Sequence, residues 1–183
     1  MRIHPLLLFA LLLAAPAAAQ ATPADSALMR ELLEMGRVDQ EVRAGFTPER
    51  LQDTAFMRGM MRVDSAHTAR IREILDEHGW PGISRVGAEG ARAAFLLVQH
   101  TEDDALQRRA LAMMQAAPPG EVALPDLALI TDRVRVGQGL PQLYGSQFNA
   151  VDGRWIADPI DDVARLDERR ASMGLSPWPT TSA

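Results

Sequence analysis

The chain has 183 residues, a formal net charge of −5 and no cysteine, and all nineteen of its strongly basic residues are arginine. The missing cysteine excludes disulfides, thiol nucleophiles and thiolate metal sites, and the missing lysine excludes a Schiff base. The arginines are scattered over a mildly acidic chain rather than gathered in a basic stripe, so we expect no nucleic-acid partner.

The N-terminal region has the pattern of a signal peptide, predicted over residues 1–19. Arg2 precedes an apolar run that ends in three alanines, Ala17–Ala19, and this run is shorter than the roughly 20 residues of a membrane span. We therefore expect an exported protein, periplasmic or secreted, that is cut after Ala19 or Ala21 and has no membrane span after cleavage. The alternative is a retained N-terminal anchor.

Apolar side chains at helical spacing predict two helical segments in the first half of the chain. The first segment covers residues 25–43. The second begins at Thr47, with Pro48 at the first helical position, and forms one long helix or two helices in series. The sequence Gly-Trp-Pro-Gly at 79–82 ends this segment, because glycine and proline interrupt helices.

The rest of the chain is predicted to form four more helices and one hairpin. The helices are expected over 86–100, 101–114, 124–136 and 158–174, and the strands over 142–150 and 154–158. The fold class is therefore mainly α, a single-domain helical bundle of about five or six helices with one small β-hairpin near 142–157. The expected organisation is signal peptide 1–19, linker 20–25, single helical domain 26–176 and loose tail 177–183.

Two histidines are candidates for catalysis. His67 shares a helix face with Asp64, which could orient its imidazole or act as a second metal ligand; the alternative is a core-edge histidine with one hydrogen bond. His100 ends a very apolar helix just before Glu102–Asp104, as expected of a general base or a metal ligand; the alternative is a histidine that caps the helix C-terminus. Gln107 is predicted to face the same space as His100.

A second group of polar residues lies around the segment PQLYGSQ. The helix that precedes this segment carries Asp132 and Arg133. On a strand, Gln142 and Tyr144 would share one face and Gln147 would lie on the other. Their uncharged donors and acceptors suit peptide or sugar groups. The alternative is that these side chains bond the ends of neighbouring helices and hold the hairpin on the bundle.

The order of these motifs resembles a known family. The pieces VQH, a later glutamine, TDRV and PQLYGSQ are similar to a bacterial family of exported or cytoplasmic proteins catalogued only as a domain of unknown function. The resemblance covers about residues 28–176, and it implies a shared fold and a shared site but no particular reaction. The residues that carry it are Gln99, His100, Gln107, Asp132, Arg133, Gln142, Tyr144, Gly145 and Gln147.

These observations predict a pocket that binds a small polar ligand or a peptide. If the protein is an enzyme, histidine acid–base chemistry on an amide, an ester or a glycan is expected. The candidate catalytic residues are His100, His67 and Asp132, and the candidate ligand-binding residues are Arg133, Gln107, Gln142, Tyr144 and Gln147. A metal site would need carboxylates, because only three of the four histidines lie beyond the signal peptide, and no cofactor is indicated. The alternative function is a non-catalytic envelope interaction or structural domain.

Overall fold

The computed structural model describes residues 22–178, which form a single mainly α domain with one two-stranded antiparallel hairpin. The predicted fold class is therefore confirmed. The predicted signal peptide lies outside the described residues, and so do the last residues of the predicted tail. None of the helices within this range combines the length and the apolar character of a bilayer-spanning helix.

In chain order the elements are α1 (Pro23–Val42), a 3-10 helix (Pro48–Gln52), α2 (Thr54–His78), α3 (Ile83–His100), α4 (Asp104–Ala116), α5 (Leu124–Gly137), β1 (Phe148–Val151), β2 (Arg154–Ala157), a second 3-10 helix (Val163–Arg165) and α6 (Leu166–Ser172).

Helices α1 and α3 cross closely because α1 carries a glycine at the contact. A Cβ on Gly36 would lie 2.8 Å from the Cβ of Ala93, closer than side-chain carbons approach each other. The buried face of α1 begins with Leu28 and Leu32, and Asp39 follows on the same face. The packing of α1 on α3 therefore carries a carboxylate into the interior.

Helix α3 is the centre of the bundle and contacts α1, α2, α4 and α5. These neighbours bury Phe95, Leu97 and Val98 to 2 % exposure or less. Burial of each such side chain contributes roughly 1.5–3 kcal/mol to the free energy of unfolding. The helix expected over 86–100 lies within α3, which starts three residues earlier at Ile83. Because α3 is held on all sides, its last two residues, Gln99 and His100, have well-defined positions.

Aspartate side chains cap the N-termini of two helices, α2 and α4. Asp53 accepts hydrogen bonds from two backbone N–H groups at 3.1 and 3.0 Å, so α2 starts after a separate 3-10 helix. Of the two arrangements expected here, two helices in series is the one observed. Asp103 accepts from the N–H of Leu106 at 3.0 Å and caps α4. The expected start of this helix at Thr101 is therefore wrong.

Residues 142–147 form a loop, which corrects the expectation that they alternate between the two faces of a strand. The first strand of the confirmed hairpin begins at Phe148, and within the loop only Gln142 joins a β-bridge, with the chain that follows the hairpin. Gly145 has a φ of 66°, and a Cβ at this position would overlap the ring of Trp178. Glycine is therefore required at the centre of the loop.

Candidate functional site

The C-terminal ends of α1 and α3 bring together a buried carboxylate and a histidine. The Nδ1 atom of His100 lies 2.9 Å from each carboxylate oxygen of Asp39, whose exposed fraction is 1 %. Because Asp39 accepts the proton of Nδ1, the second ring nitrogen, Nε2, remains available for a ligand. The pair has the arrangement of a general base whose imidazole is oriented by a carboxylate.

Arg43 binds the same carboxylate and links it to α2. Its Nη1 donates to Oδ1 of Asp39 at 2.8 Å, and its Nη2 donates to Oδ1 of Asp64 at 2.6 Å. The pKa of Asp39 lies below its ordinary value even though burial, the largest single effect, opposes ionisation. The hydrogen bond and the charge of His100, the charge of Arg43 and the hydrogen bond of Gln40 together outweigh burial. The stability that Asp39 contributes is therefore present above its ordinary pKa of about 3.9 and is lost as the pH falls through the lower folded-state pKa.

His67 lies one turn after Asp64 on α2, near the same network. Burial lowers the pKa of His67 below its ordinary value; the carboxylates of Asp39 and Asp64 oppose this effect, and Arg43 adds to it. Its buried Nδ1 has no hydrogen-bond partner within residues 22–178. In the same part of the chain, no group of three or more His, Asp or Glu side chains is arranged to hold a metal ion.

We expect the free energy of unfolding to fall between about pH 7 and pH 5.5, in part because of His67. Its pKa is lowered in the folded chain, so the unfolded chain, with a pKa near 6.5, takes up the proton first and is favoured by acid. The His67→Gln variant should lose less stability over this interval than the wild type. Urea unfolding at several pH values measures the difference, and parallel pH curves for the two proteins would contradict the prediction.

Arg133 lies on α5, and its guanidinium forms no ion pair with a carboxylate of the described residues. No Asp or Glu within residues 22–178 forms an ion pair with it, although Asp158 is close enough to act on its pKa. Burial lowers the pKa of Arg133; the charge of Asp158 opposes this effect and Arg43 adds to it. With its amide oxygen turned towards the guanidinium, Gln99 accepts from Nε at 3.0 Å and from Nη2 at 3.2 Å. Three of the five N–H donors of Arg133 are left without a bond to the described residues.

Two neighbouring cavities border Arg133, because Gln99 and Arg133 line both of them. The first, which we name the histidine cavity, has a volume of about 650 Å³. The second, the tryptophan cavity, has a volume of about 510 Å³. The histidine cavity is lined by Arg43, Phe46, Met60, Asp64, Gln99, His100, Thr101, Glu102, Asp104, Gln107, Arg133, Val136 and Gly137. The tryptophan cavity is lined by Gln99, Leu129, Arg133, Ser146, Gln147, Phe148 and Trp155.

The predicted site residues divide into two groups by their position. Those that line one of the cavities are His100, Gln107, Arg133 and Gln147. Those that line neither cavity are His67, Asp132, Gln142 and Tyr144. Of the residues predicted to share one pocket, four therefore line a cavity and four do not.

Asp132 is fully buried and organises the loop 142–147. Its carboxylate accepts hydrogen bonds from the backbone N–H groups of Leu143, Tyr144 and Ser146 at 2.6 to 3.1 Å. The hydroxyl of Ser146 donates to the same carboxylate at 2.9 Å. These donors occupy both oxygens, so the contacts of Asp132 are those of a residue that fixes a loop.

The three predicted glutamines also bond backbone groups. Gln142 donates to the carbonyl of Asp158 at 2.8 Å and accepts from the N–H of Gln147 at 2.8 Å, which closes the loop. Gln107 donates to the carbonyl of Thr101 at 2.8 Å, just beyond the end of α3. These bonds fit the structural alternative, in which such side chains hold helix ends and the hairpin in place.

Two residues of the network, Asp39 and Arg43, are not singled out by any sequence motif. A signal was nevertheless present, since Asp39 continues the buried stripe of Leu28 and Leu32 at helical spacing. An acidic residue on such a stripe is almost never buried without a partner. Such a partner is expected one turn later, at the position of Arg43, which caps the C-terminus of the same helix.

The fold and the site define a mainly α domain with an interior network of histidine, aspartate and arginine beside a cavity. The chain belongs to the Family of unknown function (DUF6624), whose family model matches residues 26–181. The resemblance to a domain of unknown function is confirmed at this level. No curated protein and no solved structure matches the chain.

Proposed function

We propose that the chain binds a small anionic ligand in the histidine cavity and transfers a proton to or from it. One juxtaposition carries this proposal: the same cavity is lined by His100, which Asp39 holds, and by Arg133, which has no carboxylate partner among residues 22–178. The first group supports acid–base chemistry, and the second supports recognition of an anion.

The histidine cavity is lined by two arginines and by the carboxylates of Asp64, Glu102 and Asp104, so an anion is favoured at Arg133 and not over the cavity as a whole. Arg43 pairs with both Asp39 and Asp64, and His100 is a further donor to Asp39. Asp39 and Asp64 are therefore already paired, whereas Arg133 feels the charge of Asp158 but forms no ion pair with any carboxylate among residues 22–178. A carboxylate or a phosphate that reaches its free N–H groups would form charge-assisted hydrogen bonds at two points.

The chemistry that fits this arrangement is hydrolysis of an amide or an ester bond next to the anionic group. Nε2 of His100 would remove a proton from a water molecule that attacks the carbonyl carbon. It would return the proton to the leaving amine or alcohol as the bond to the carbonyl carbon breaks. Asp39 would keep the other ring proton on Nδ1 throughout, so His100 ends in the state in which it began.

Binding can be tested by thermal unfolding with inorganic phosphate, succinate and N-acetylalanine. A ligand at a hundred times its Kd adds about 2.7 kcal/mol to the free energy of unfolding. At roughly 2–4 °C per kcal/mol, Tm should rise by about 5–10 °C. The Arg133→Met variant is expected to lose this rise. The His100→Gln variant should keep it but should release no alanine from N-acetylalanine.

Two variants serve as controls for this experiment. Arg108→Met removes an exposed arginine from α4, and Tyr144→Phe removes the hydroxyl of a residue that lines neither cavity. Both variants should respond to the ligand as the wild type does. A response of Arg133→Met equal to that of the wild type would contradict the proposed function.

The exposed apolar side chains of the hairpin support the second candidate function, a non-catalytic interaction domain. The exposed fractions are 44 % for Phe148, 50 % for Val151, 46 % for Trp155 and 50 % for Ile156. By the strand register Phe148 and Trp155 lie on one face of the hairpin and Val151 and Ile156 on the other, and each pair is apolar surface that a partner could cover. If the chain is an interaction domain, it catalyses no reaction that His100→Gln could abolish. Substitutions in the hairpin should then weaken binding of the partner.

We also propose that the chain is exported, because residues 1–19 have the pattern of a signal peptide. The hydroxyl of Thr22 accepts from the N–H of Asp25 at 3.1 Å and caps α1. A mature N-terminus at Gln20 leaves this cap intact, whereas one at Thr22 puts a positive charge at the positive end of the helix dipole. The mature chain is expected to begin at Gln20 or within two residues of it. N-terminal sequencing of the protein from periplasm or medium tests this, and an intact Met1 would contradict it.

A further inference from the structure

The histidine cavity and the tryptophan cavity meet at Arg133 and Gln99. A ligand whose anionic group is held by Arg133 therefore has space on two sides. One side leads to His100 and the other leads to Trp155. A ligand with a carboxylate and two further substituents on one carbon atom matches these two spaces. Its carboxylate can bind Arg133 while one substituent points towards His100 and the other towards Trp155.

The walls of the tryptophan cavity include two aromatic side chains that other rings hold in place. Phe148 stacks on Trp178, and Trp155 lies against Phe46, with ring centroids 5.7 Å apart in each pair. The two cavity rings are nonetheless 44 % and 46 % exposed. Covering such apolar surface is favourable because it removes the surface from water. The cavity therefore offers a flat, apolar binding surface of fixed geometry.

Two polar side chains of the tryptophan cavity, Ser146 and Gln147, are already hydrogen-bonded within the protein. Gln147 donates to the hydroxyl of Ser146 at 2.9 Å and to the carbonyl of Leu129 at 3.3 Å. The hydroxyl of Ser146 donates to Asp132. A polar group placed beside Ser146 and Gln147 would have to compete with these bonds, whereas an apolar group would not.

We infer that the ligand is an N-acyl α-amino acid with an apolar or aromatic side chain, either free or as the C-terminal residue of a short peptide. Its carboxylate binds Arg133, its side chain enters the tryptophan cavity, and its acylamide lies in the histidine cavity beside His100. This inference rests on the proposed function, because it takes Arg133 as the site of the anion.

Calorimetric titration with four compounds separates the parts of the ligand. N-acetylphenylalanine is expected to bind the wild type about tenfold more tightly than N-acetylalanine, because its ring covers the aromatic walls. N-acetylphenylalaninamide, which lacks the carboxylate, should bind at least about tenfold more weakly than N-acetylphenylalanine. The tripeptide Ala-Ala-Phe distinguishes the two sources: tighter binding than N-acetylphenylalanine indicates a peptide C-terminus, and weaker binding indicates a free acyl amino acid.

Variants of the hairpin test the assignment of the side-chain cavity. Phe148→Ala and Trp155→Ala should each reduce the preference for the phenyl compound and leave the affinity for N-acetylalanine unchanged. The Tm of each variant shows that it is folded, and Phe148→Ala is the test if loss of Trp155 unfolds the hairpin. Ile156→Ala is the matched control, because Ile156 is 50 % exposed on the same strand and lines neither cavity.

The outcomes distinguish this inference from the proposed function. If the phenyl and methyl compounds bind equally and both require Arg133, the inference is overturned and the proposed function stands. A preference that survives in both Phe148→Ala and Trp155→Ala also overturns the inference. If neither compound binds, or if both bind Arg133→Met as they bind the wild type, the proposed function fails as well.

Discussion

Replacement of Asp132 by asparagine is expected to lower the free energy of unfolding by roughly 2–4 kcal/mol, because an amide cannot accept hydrogen bonds on both of its side-chain atoms. Asp132 is fully buried, and its oxygens bind the N–H groups of Leu143, Tyr144 and Ser146. In the variant one oxygen becomes an NH2 group, so at least one buried backbone N–H faces another donor. Urea unfolding at neutral pH measures the loss.

Ser146→Ala is the matched control for Asp132→Asn. It removes the hydroxyl that donates to the carboxylate and leaves the three backbone bonds in place. The hydroxyl also accepts from Nε2 of Gln147, so the expected cost is about 1–2 kcal/mol, at about 1 kcal/mol for each of two hydrogen bonds. If Asp132→Asn unfolds as the wild type does but no longer binds ligand, Asp132 belongs to the ligand site, as the sequence pattern suggested.

Helix α3 and the loop 142–147 show which parts of the fold can be predicted from sequence. The spacing of apolar residues in α3 is a local property, and it predicted a buried helix ending at His100. The sequence of the loop was also interpreted locally, as a strand whose side chains alternate between two faces. Its conformation is set instead by the side chain of Asp132 in another element, which takes N–H groups that a strand would use for pairing. Local patterns carry no information about such a contact.

His100 shows the same division within the candidate site. Its apolar helix and its position at a helix end indicated an inward-facing histidine, with carboxylates expected from Glu102–Asp104. The carboxylate that binds it is Asp39, which lies 61 residues earlier in the chain. Asp103 instead caps α4 and pairs with Arg72. The inward orientation of His100 could be predicted from the sequence. Its partner, Asp39, could not, because their contact depends on the crossing of α1 and α3.

Replacement of Asp39 by asparagine is expected to have the largest effect on stability, a loss of about 3 kcal/mol or more, because a buried charged network loses one partner. Arg43 keeps its bond to Asp64, but the carboxylate that binds Nδ1 of His100 is gone. The NH2 group of Asn would donate to Nδ1, and the ring proton of His100 would move to Nε2. A protonated Nε2 can no longer take a proton from water.

Two measurements on Asp39→Asn test the stability effect and the mechanism separately. Urea unfolding gives the loss of stability, and ¹⁵N NMR of the neutral His100 ring gives the position of the proton. The proton is expected on Nδ1 in the wild type and on Nε2 in the variant. Glu34→Gln is the control on the same helix, because Glu34 belongs to an exposed ion pair with Arg37 and should change neither measurement. An unchanged tautomer in Asp39→Asn would remove the basis for His100 as an oriented base, and the contact between the two residues would then be structural.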